Sequence, residues 1–413
     1  MDFVKISYRS RKGEVEIYPK FIVGKSKDLM IRGGDFYAMW LDDKSTWTTN
    51  EEDVVQAIDA EMDKYAKDNS AKFSDSRVII KHMWDSESGS IDLWHKYCQK
   101  QMRDDYKELD TSLVFSNQVP SKEEYSSHKL SYPLEEGSTE AYDKLMSVLY
   151  TDKERRKLEW GIGAIVTGDS KKTQKFIVLY GNHGTGKSSF LYIVQLLFEG
   201  YYSVFDAESL ISSNSPFAME QFKTNPLVAI AQDVDLSKIG RNTLLNSLVS
   251  HEQMTVNEKH KNIYSMKFNS FLMMASNKPV DITDAKSGLI RRLIDVYPSG
   301  NIIEFNEYTR LMDQIKFELG AIATKCRNVY LEDPQYYRDY KPMNMMGESN
   351  DFYNFVEDSY VVFRTQKNMS LKQGGEMYKE YCDNAKVPYP YSMRLFKNEL
   401  KNYYSDYKER VLK

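Results

Sequence analysis

Cysteine is scarce in this chain: Cys98, Cys326 and Cys382 are the three in 413 residues. They are far apart and odd in number, so they make neither a CxxC site nor a disulfide framework, and a reducing compartment is expected. Cys and His also lack any zinc-site spacing. No apolar run is long enough to span a bilayer, and the start, Met1-Asp2-Phe3-Val4-Lys5, does not read as a signal peptide. An excess of positive charge is missing too. Lys and Arg number 56 against 60 Asp and Glu, a net charge of −4, so any nucleic-acid surface has to be local. Internal repeats and strong low-complexity tracts are absent. A disulfide-stapled domain, a zinc site, a membrane span and a uniformly basic nucleic-acid binder are thereby set aside.

What is present begins with Gly181-Asn182-His183-Gly184-Thr185-Gly186-Lys187-Ser188, a full match to the phosphate-loop pattern G-x-x-x-x-G-K-[ST]. The apolar run Phe176-Ile177-Val178-Leu179-Tyr180 precedes it, and a helix-length apolar segment from Phe190 to Phe198 follows. Strand, glycine loop and helix together make a phosphate cradle, because backbone N–H groups and the helix N-terminus all favour an anion. Gly181 to Ser189 are therefore the expected ATP contacts. Lys187 is expected to reach the β- and γ-phosphates and Ser188 to ligate Mg²⁺.

Three features downstream fit a hydrolytic site. Leu227-Val228-Ala229-Ile230-Ala231 ends in Gln232-Asp233-Val234-Asp235, a buried strand tipped by acids. Asp233 is the leading candidate to hold Mg²⁺ or polarise the attacking water, with Asp235 behind it. Phe271-Leu272-Met273-Met274-Ala275 leads to Asn277, an amide placed to hold water near the γ-phosphate. Gly288-Leu289-Ile290-Arg291-Arg292 carries two arginines, either a finger for a neighbouring subunit's γ-phosphate or a surface pair ending a helix. Between the second and third runs, residues 250–262 read as a hairpin with Lys259, His260 and Lys261 at its tip. That tip fits a phosphate backbone, and it also fits a solvated turn.

The length implies two to four domains. Residues 1–125 read as an N-terminal module, with β-like runs at Val15-Glu16-Ile17-Tyr18 and Phe36-Tyr37-Ala38-Met39-Trp40, followed by a helical pattern at Val54, Val55, Ile58, Met62 and Tyr65. Residues 116–139, rich in Ser, Glu and Pro, read as a linker, and a helical segment covers about 138–168. The nucleotide chemistry falls within 171–340, and a small amphipathic portion covers 345–413. The 30 tyrosines could stack on bases, but read first as ordinary amphipathic residues.

The order of loop, acid-tipped strand, basic hairpin, Asn-tipped strand and paired arginines between residues 181 and 292 resembles the superfamily 3 (AAA+) helicases. The likeness is to the phage and poxvirus primase-helicase branch. Phe36-Tyr37-Ala38-Met39-Trp40 to Trp47 looks like the start of that branch's helical domain, Leu130-Ser131-Tyr132-Pro133 like its collar region, and Tyr378 to Tyr403 like its C-terminal winged helix. The resemblance implies an α/β fold: an AAA+ phosphate-loop core with a parallel sheet, an α+β/helical domain before it (1–125), a collar (126–170) and a winged-helix-like domain after it. It implies an ATP hydrolase that forms a ring, a hexamer in this family. Such a ring moves on single-stranded DNA and separates forks beside primase, polymerase or single-strand binding proteins, in the cytoplasm of a bacterial host. Lys187, Asp233, Asp235, Asn277 and Arg291 or Arg292 would be catalytic, Ser188 and Asp233 the Mg²⁺ ligands, and Lys259, His260 and Lys261 the DNA contacts.

Two departures stand out. Gln232 occupies a place where many members have an acid, and only about 30 residues precede the first match, too few for a primase fold, so no primer synthesis is expected. A DNA-packaging ATPase and an ATP-switched origin-binding or loader protein are the alternatives.

Overall fold

The computed structural model describes residues 1–101, 106–211, 217–237, 242–257, 263–280, 288–365, 369–387 and 390–403. The chain divides into two compact units, Met1–Leu134 with Thr255–Ser265, and Glu135–Met254 with Met266–Lys413.

The first unit begins with β1 (Val4–Arg11) and β2 (Glu14–Phe21), an antiparallel hairpin. Arg11 pairs with Glu14 across the two-residue turn Lys12-Gly13, both at positive φ, which matches the twist of the strands. Next come β3 (Leu29–Arg32), β4 (Asp35–Leu41) and β5 (Thr46–Thr48), a second antiparallel sheet. The β-like run Phe36-Tyr37-Ala38-Met39-Trp40 lies in β4, whereas the family likeness alone would start a helical domain there. Tyr37-Ala38-Met39-Trp40 alternates on a pleat, and Trp40 pairs with Trp47 across β4 and β5. Helix α1 (Glu51–Asp68) starts at Asn50, whose side chain accepts from the Glu52 N–H at 3.1 Å. Its apolar face of Val54, Val55, Ile58 and Met62 joins a core with Phe3, Ile17 and Trp94. β6 (Arg77–Ile80) adds to β2 in parallel, α2 (Ser90–Lys100) brings Trp94, and β7 (Asp110–Val114) pairs with β8 (Ser126–Lys129). Part of the stretch that reads as a linker, 116–139, is thus a paired strand.

The second unit opens with α3 (Glu140–Leu149) and α4 (Asp152–Val166). The chain then runs β9 (Phe176–Tyr180), α5 (Lys187–Leu197), β10 (Tyr202–Val204), α6 (Glu208–Ile211), β11 (Val228–Ala231) and α7 (Thr243–Val249). A two-stranded sheet of β12 (Gln253–Val256) and β13 (Tyr264–Lys267) leads to β14 (Phe271–Ser276), β15 (Leu293–Val296) and the long helix α8 (Phe305–Glu332). Four strands join β9 in one parallel sheet, in the order β10-β11-β14-β9-β15. Every side chain of β11, β14 and β15 is buried, which is why Val228–Ala231 and Phe271–Ala275 read as unbroken apolar runs.

Buried charge ties α4 to the sheet. The Lys157 ammonium, 2% exposed, donates to both Glu154 carboxylate oxygens at 3.0 Å and to the Asp295 carbonyl at 2.6 Å. Tyr340 donates to the Asp295 carboxylate, and the Tyr297 N–H to Glu154 at 2.9 Å. Helix α3 is held at its start by Glu318 of α8, whose two carboxylate oxygens accept from the Ala141 and Tyr142 N–H groups at 3.0 Å each.

The chain ends in α9 (Met343–Ser349), α10 (Asp351–Thr365), α11 (Leu371–Ala385) and α12 (Met393–Tyr403). Phe352, Phe355, Tyr378 and Phe396 form their core. Among the described residues after 340 the elements are all helices, with no strand. Among the described residues no helix is long and apolar enough to cross a membrane.

Helices α4 and α8 touch at Gly163, where a Cβ would lie 2.2 Å from the Cys326 carbonyl oxygen. Gly163→Ala is expected to force the helices apart and cost about 1–3 kcal/mol of stability. A urea titration followed by circular dichroism measures it.

Candidate nucleotide site

The loop 181–186 joins the C-terminal end of β9 to the first turn of α5. Two of its glycines are required by geometry. Gly184 has φ +76°, and Gly186 has φ +90° with a would-be Cβ only 2.7 Å from Leu149 Cδ2. Thr185 closes the turn by donating to the Asn182 carbonyl at 2.8 Å.

Lys187, 6% exposed, uses three donors. Its ammonium reaches the Gly181 carbonyl at 2.6 Å, the Asn182 carbonyl at 2.8 Å and Asn277 Oδ1 at 2.9 Å. Burial lowers its pKa, and the charge of Asp233 acts the other way. Asn277 in turn donates from Nδ2 to Asp233 Oδ1 at 3.3 Å. The amide therefore joins the lysine to the acid. This follows from strand order: β14 lies between β9 and β11, so the acid strand is one strand removed from the loop strand, roughly 10 Å away. The residue at the tip of the middle strand faces both.

Asp233 sits at φ +53°, a left-handed conformation that Asp tolerates. The next N–H, of Val234, is bonded to the Ala275 carbonyl at 2.9 Å, which pins the acid turn to β14. Asp233 lines the cavity above the loop, whereas Gln232 and Asp235 do not. The Asp235 carboxylate is engaged by Lys278 and by the Ser237 hydroxyl and N–H. Those bonds, Lys278 first, hold it well below the usual carboxylate range. The structure thus brings one of the two candidate acids to the site.

The cavity measures about 390 Å³. One wall is polar: 183–189, Asp233 and Asn277. The other is apolar: Leu149, Ile302, Ile303, Phe305 and Tyr308. Ile302 and Phe305 are 84% and 77% exposed. Sequence reasoning missed this wall. Its only linear signal is Ile302-Ile303 and Phe305 following Gly300, at the start of α8.

The residues fit Mg²⁺ with a nucleotide. That ion is held by few protein oxygens together with substrate phosphates, and Ser188 and Asp233 supply a hydroxyl and a carboxylate on one cavity. Among the described residues no group of three or more His, Cys, Asp and Glu could hold a metal by itself.

The arginines lie elsewhere. The Phe176 N–H bonds the Arg292 carbonyl at 2.9 Å, placing both arginines at the N-terminal ends of β9 and β15, roughly 15 Å along the strand from the loop. Arg292 is buried and bonded inward, from Nε to Ser250 Oγ at 3.1 Å and from Nη1 to the Gly288 carbonyl at 2.7 Å. Arg291 is exposed. Neither reaches the chain's own loop cavity. Lys259, His260 and Lys261 lie outside the described residues.

A family model described as "Family of unknown function (DUF5906)" matches residues 179–292, from the end of β9 through both arginines. No curated protein gives a match. Among solved structures, "The A form apo structure of NrS-1 C terminal region-CTR" is similar at 17% identity and a TM-score of 0.37, over 49% of this chain and 52% of that one. "The apo structure of NrS-1 C terminal region (305-718)" is similar at 15% identity and a TM-score of 0.41, over 66% of this chain and 74% of that one. The chain spans about half the length of the first.

Phe305→Ala is expected to weaken binding of a fluorescent adenine nucleotide by about 1–3 kcal/mol, the scale of base–aromatic stacking. Thermal stability should change little, because Phe305 is 77% exposed. Unchanged nucleotide affinity would remove the apolar wall from the site.

Proposed function

We propose that this chain is an ATP-driven DNA motor, a replicative helicase of a phage or mobile element with an AAA+-type core. The linked trio of Lys187, Asn277 and Asp233 around one cavity carries the reading. In it, the loop N–H groups and Lys187 take the triphosphate, and its negative charge is neutralised where it develops. Mg²⁺, held by Ser188 and Asp233, would supply further charge stabilisation at the phosphates. Asp233 and Asn277 orient the attacking water, and Asp235 is left as a brace for Lys278. The exposed Ile302 and Phe305 receive the base.

Of the two arginines, Arg291 is the better finger, since Arg292 is already spent on Ser250 and Gly288. At the far end of the strands it can act only on a neighbouring copy's nucleotide, which makes a ring, hexameric by resemblance, the working form. The hairpin tip with Lys259, His260 and Lys261 would grip single-stranded DNA. Primase, polymerase or single-strand binding proteins are the partners such a motor would meet in a bacterial cytoplasm.

ATP hydrolysis should rise with single-stranded DNA. Lys187→Ala and Asp233→Asn should each lower turnover about 10²-fold or more. A wild-type protein that hydrolyses ATP yet never separates a forked duplex, under any loading condition, defeats the helicase reading. Stimulation by duplex DNA alone would favour a packaging motor, and sequence-specific binding with slow turnover a loader.

Arg291→Ala should abolish hydrolysis without changing the melting temperature. Arg292→Ala should lower the melting temperature, because it leaves Ser250 and a buried carbonyl without their partner. Mixing Arg291→Ala with Lys187→Ala subunits should restore part of the activity, since each supplies what the other lacks; no recovery counts against action between subunits.

A further inference from the structure

A second cleft, about 490 Å³, opens where β9 and β15 begin, and it shares no residue with the loop cavity. Lys172, Lys175, Arg291, Arg292 and Arg338 line it, and Asp339 is the one carboxylate among its lining residues. Five cations around one acid repel one another, and the cleft concentrates their field. Lys175 is buried, and its ammonium donates to the Arg291 carbonyl and to the Tyr340 carbonyl at 3.4 Å, which leaves one of its three hydrogens. Burial pulls this amine down to about 8, with Asp339 raising it and Arg292 lowering it further. Lys172 is paired with Asp169, whereas Arg338 is exposed and has no carboxylate partner among the described residues. Guanidinium forks beside an ammonium match the tetrahedral oxygens of phosphate.

We propose that this cleft binds a phosphate group, carried either by a nucleic-acid backbone or by a free nucleotide. The cleft includes Arg291, the proposed finger, but shares no residue with the loop cavity and does not depend on chemistry at Lys187. An anion there would neutralise the crowded cations and favour the charged form of Lys175. The cleft would give this acidic protein a local basic surface for a nucleic-acid backbone.

The test uses the full chain carrying Lys187→Ala, which weakens the loop site, with tripolyphosphate as the probe in isothermal titration calorimetry. One binding event per chain is expected. Arg338→Ala, Lys172→Ala and Lys175→Met, each added to that background, should weaken it about ten-fold or more. Lys175 is buried and its variant could misfold, so the exposed Arg338 and Lys172 keep the outcome decisive. Competition by a short oligothymidylate identifies a nucleic-acid backbone as the source; competition by ATP alone identifies free nucleotide. Absence of binding, binding indifferent to Arg338 and Lys172, or competition by neither ligand overturns the proposal. The helicase reading is judged separately, on ATP turnover and fork separation by the wild type.

Discussion

The position of β14 between the loop strand and the acid strand is the constraint on which the site depends. Its backbone is bonded in parallel ladders on both sides, and all six of its side chains are buried. A strand so enclosed cannot slide or rotate, so its first residue beyond the sheet, Asn277, has a defined place. From there the amide accepts from Lys187 and donates to Asp233. An acid in β9's immediate neighbour strand would crowd the lysine. One strand further away, it leaves room for phosphates and an ion between them.

The sheet's other flank adds buried charge to apolar packing. Lys157 is surrounded by Glu154, the Asp295 carbonyl and, at 3.7 Å, the Asp295 carboxylate. A cation so buried is stable only while its partners stay, and losing one costs about 3–5 kcal/mol in comparable pairs. The cluster joins α4, β15 and the chain around Tyr340, and β15 is the strand against which β9 lies. Two different physical devices therefore hold β9: a hydrogen-bonded apolar neighbour on one side, and a strand locked by ions on the other.

What the sequence made legible was what local geometry demands. The phosphate loop shows because positive φ at Gly184 and Gly186, and at Gly186 also the Leu149 side chain, favour glycine. The buried strands show because both of their faces are covered. Asp233 already ranks ahead of Asp235 in the sequence, but the ion pair that engages Asp235 comes from Lys278, 43 residues away, and only the fold brings it there. Arg291 and Arg292 look alike in sequence, and it is Ser250, 42 residues away, that separates them. The apolar wall of Ile302 and Phe305 was hidden because exposed apolar residues leave no periodic pattern. At Phe36-Tyr37-Ala38-Met39-Trp40 the β-like run was legible from the residues and became β4, where the family likeness alone pointed to a helical domain.

Helix α3 has a mechanical consequence. Its first turn is anchored to α8 by Glu318, and its last residue, Leu149, packs beneath Gly186. The Leu149 carbonyl also accepts from the Ser299 N–H at 2.8 Å, just before the apolar wall. The helix is a strut of about 15 Å, loaded at both ends. A displacement of the loop cannot be absorbed locally: it must either break two charge-assisted bonds at Glu318 or carry α8 with it.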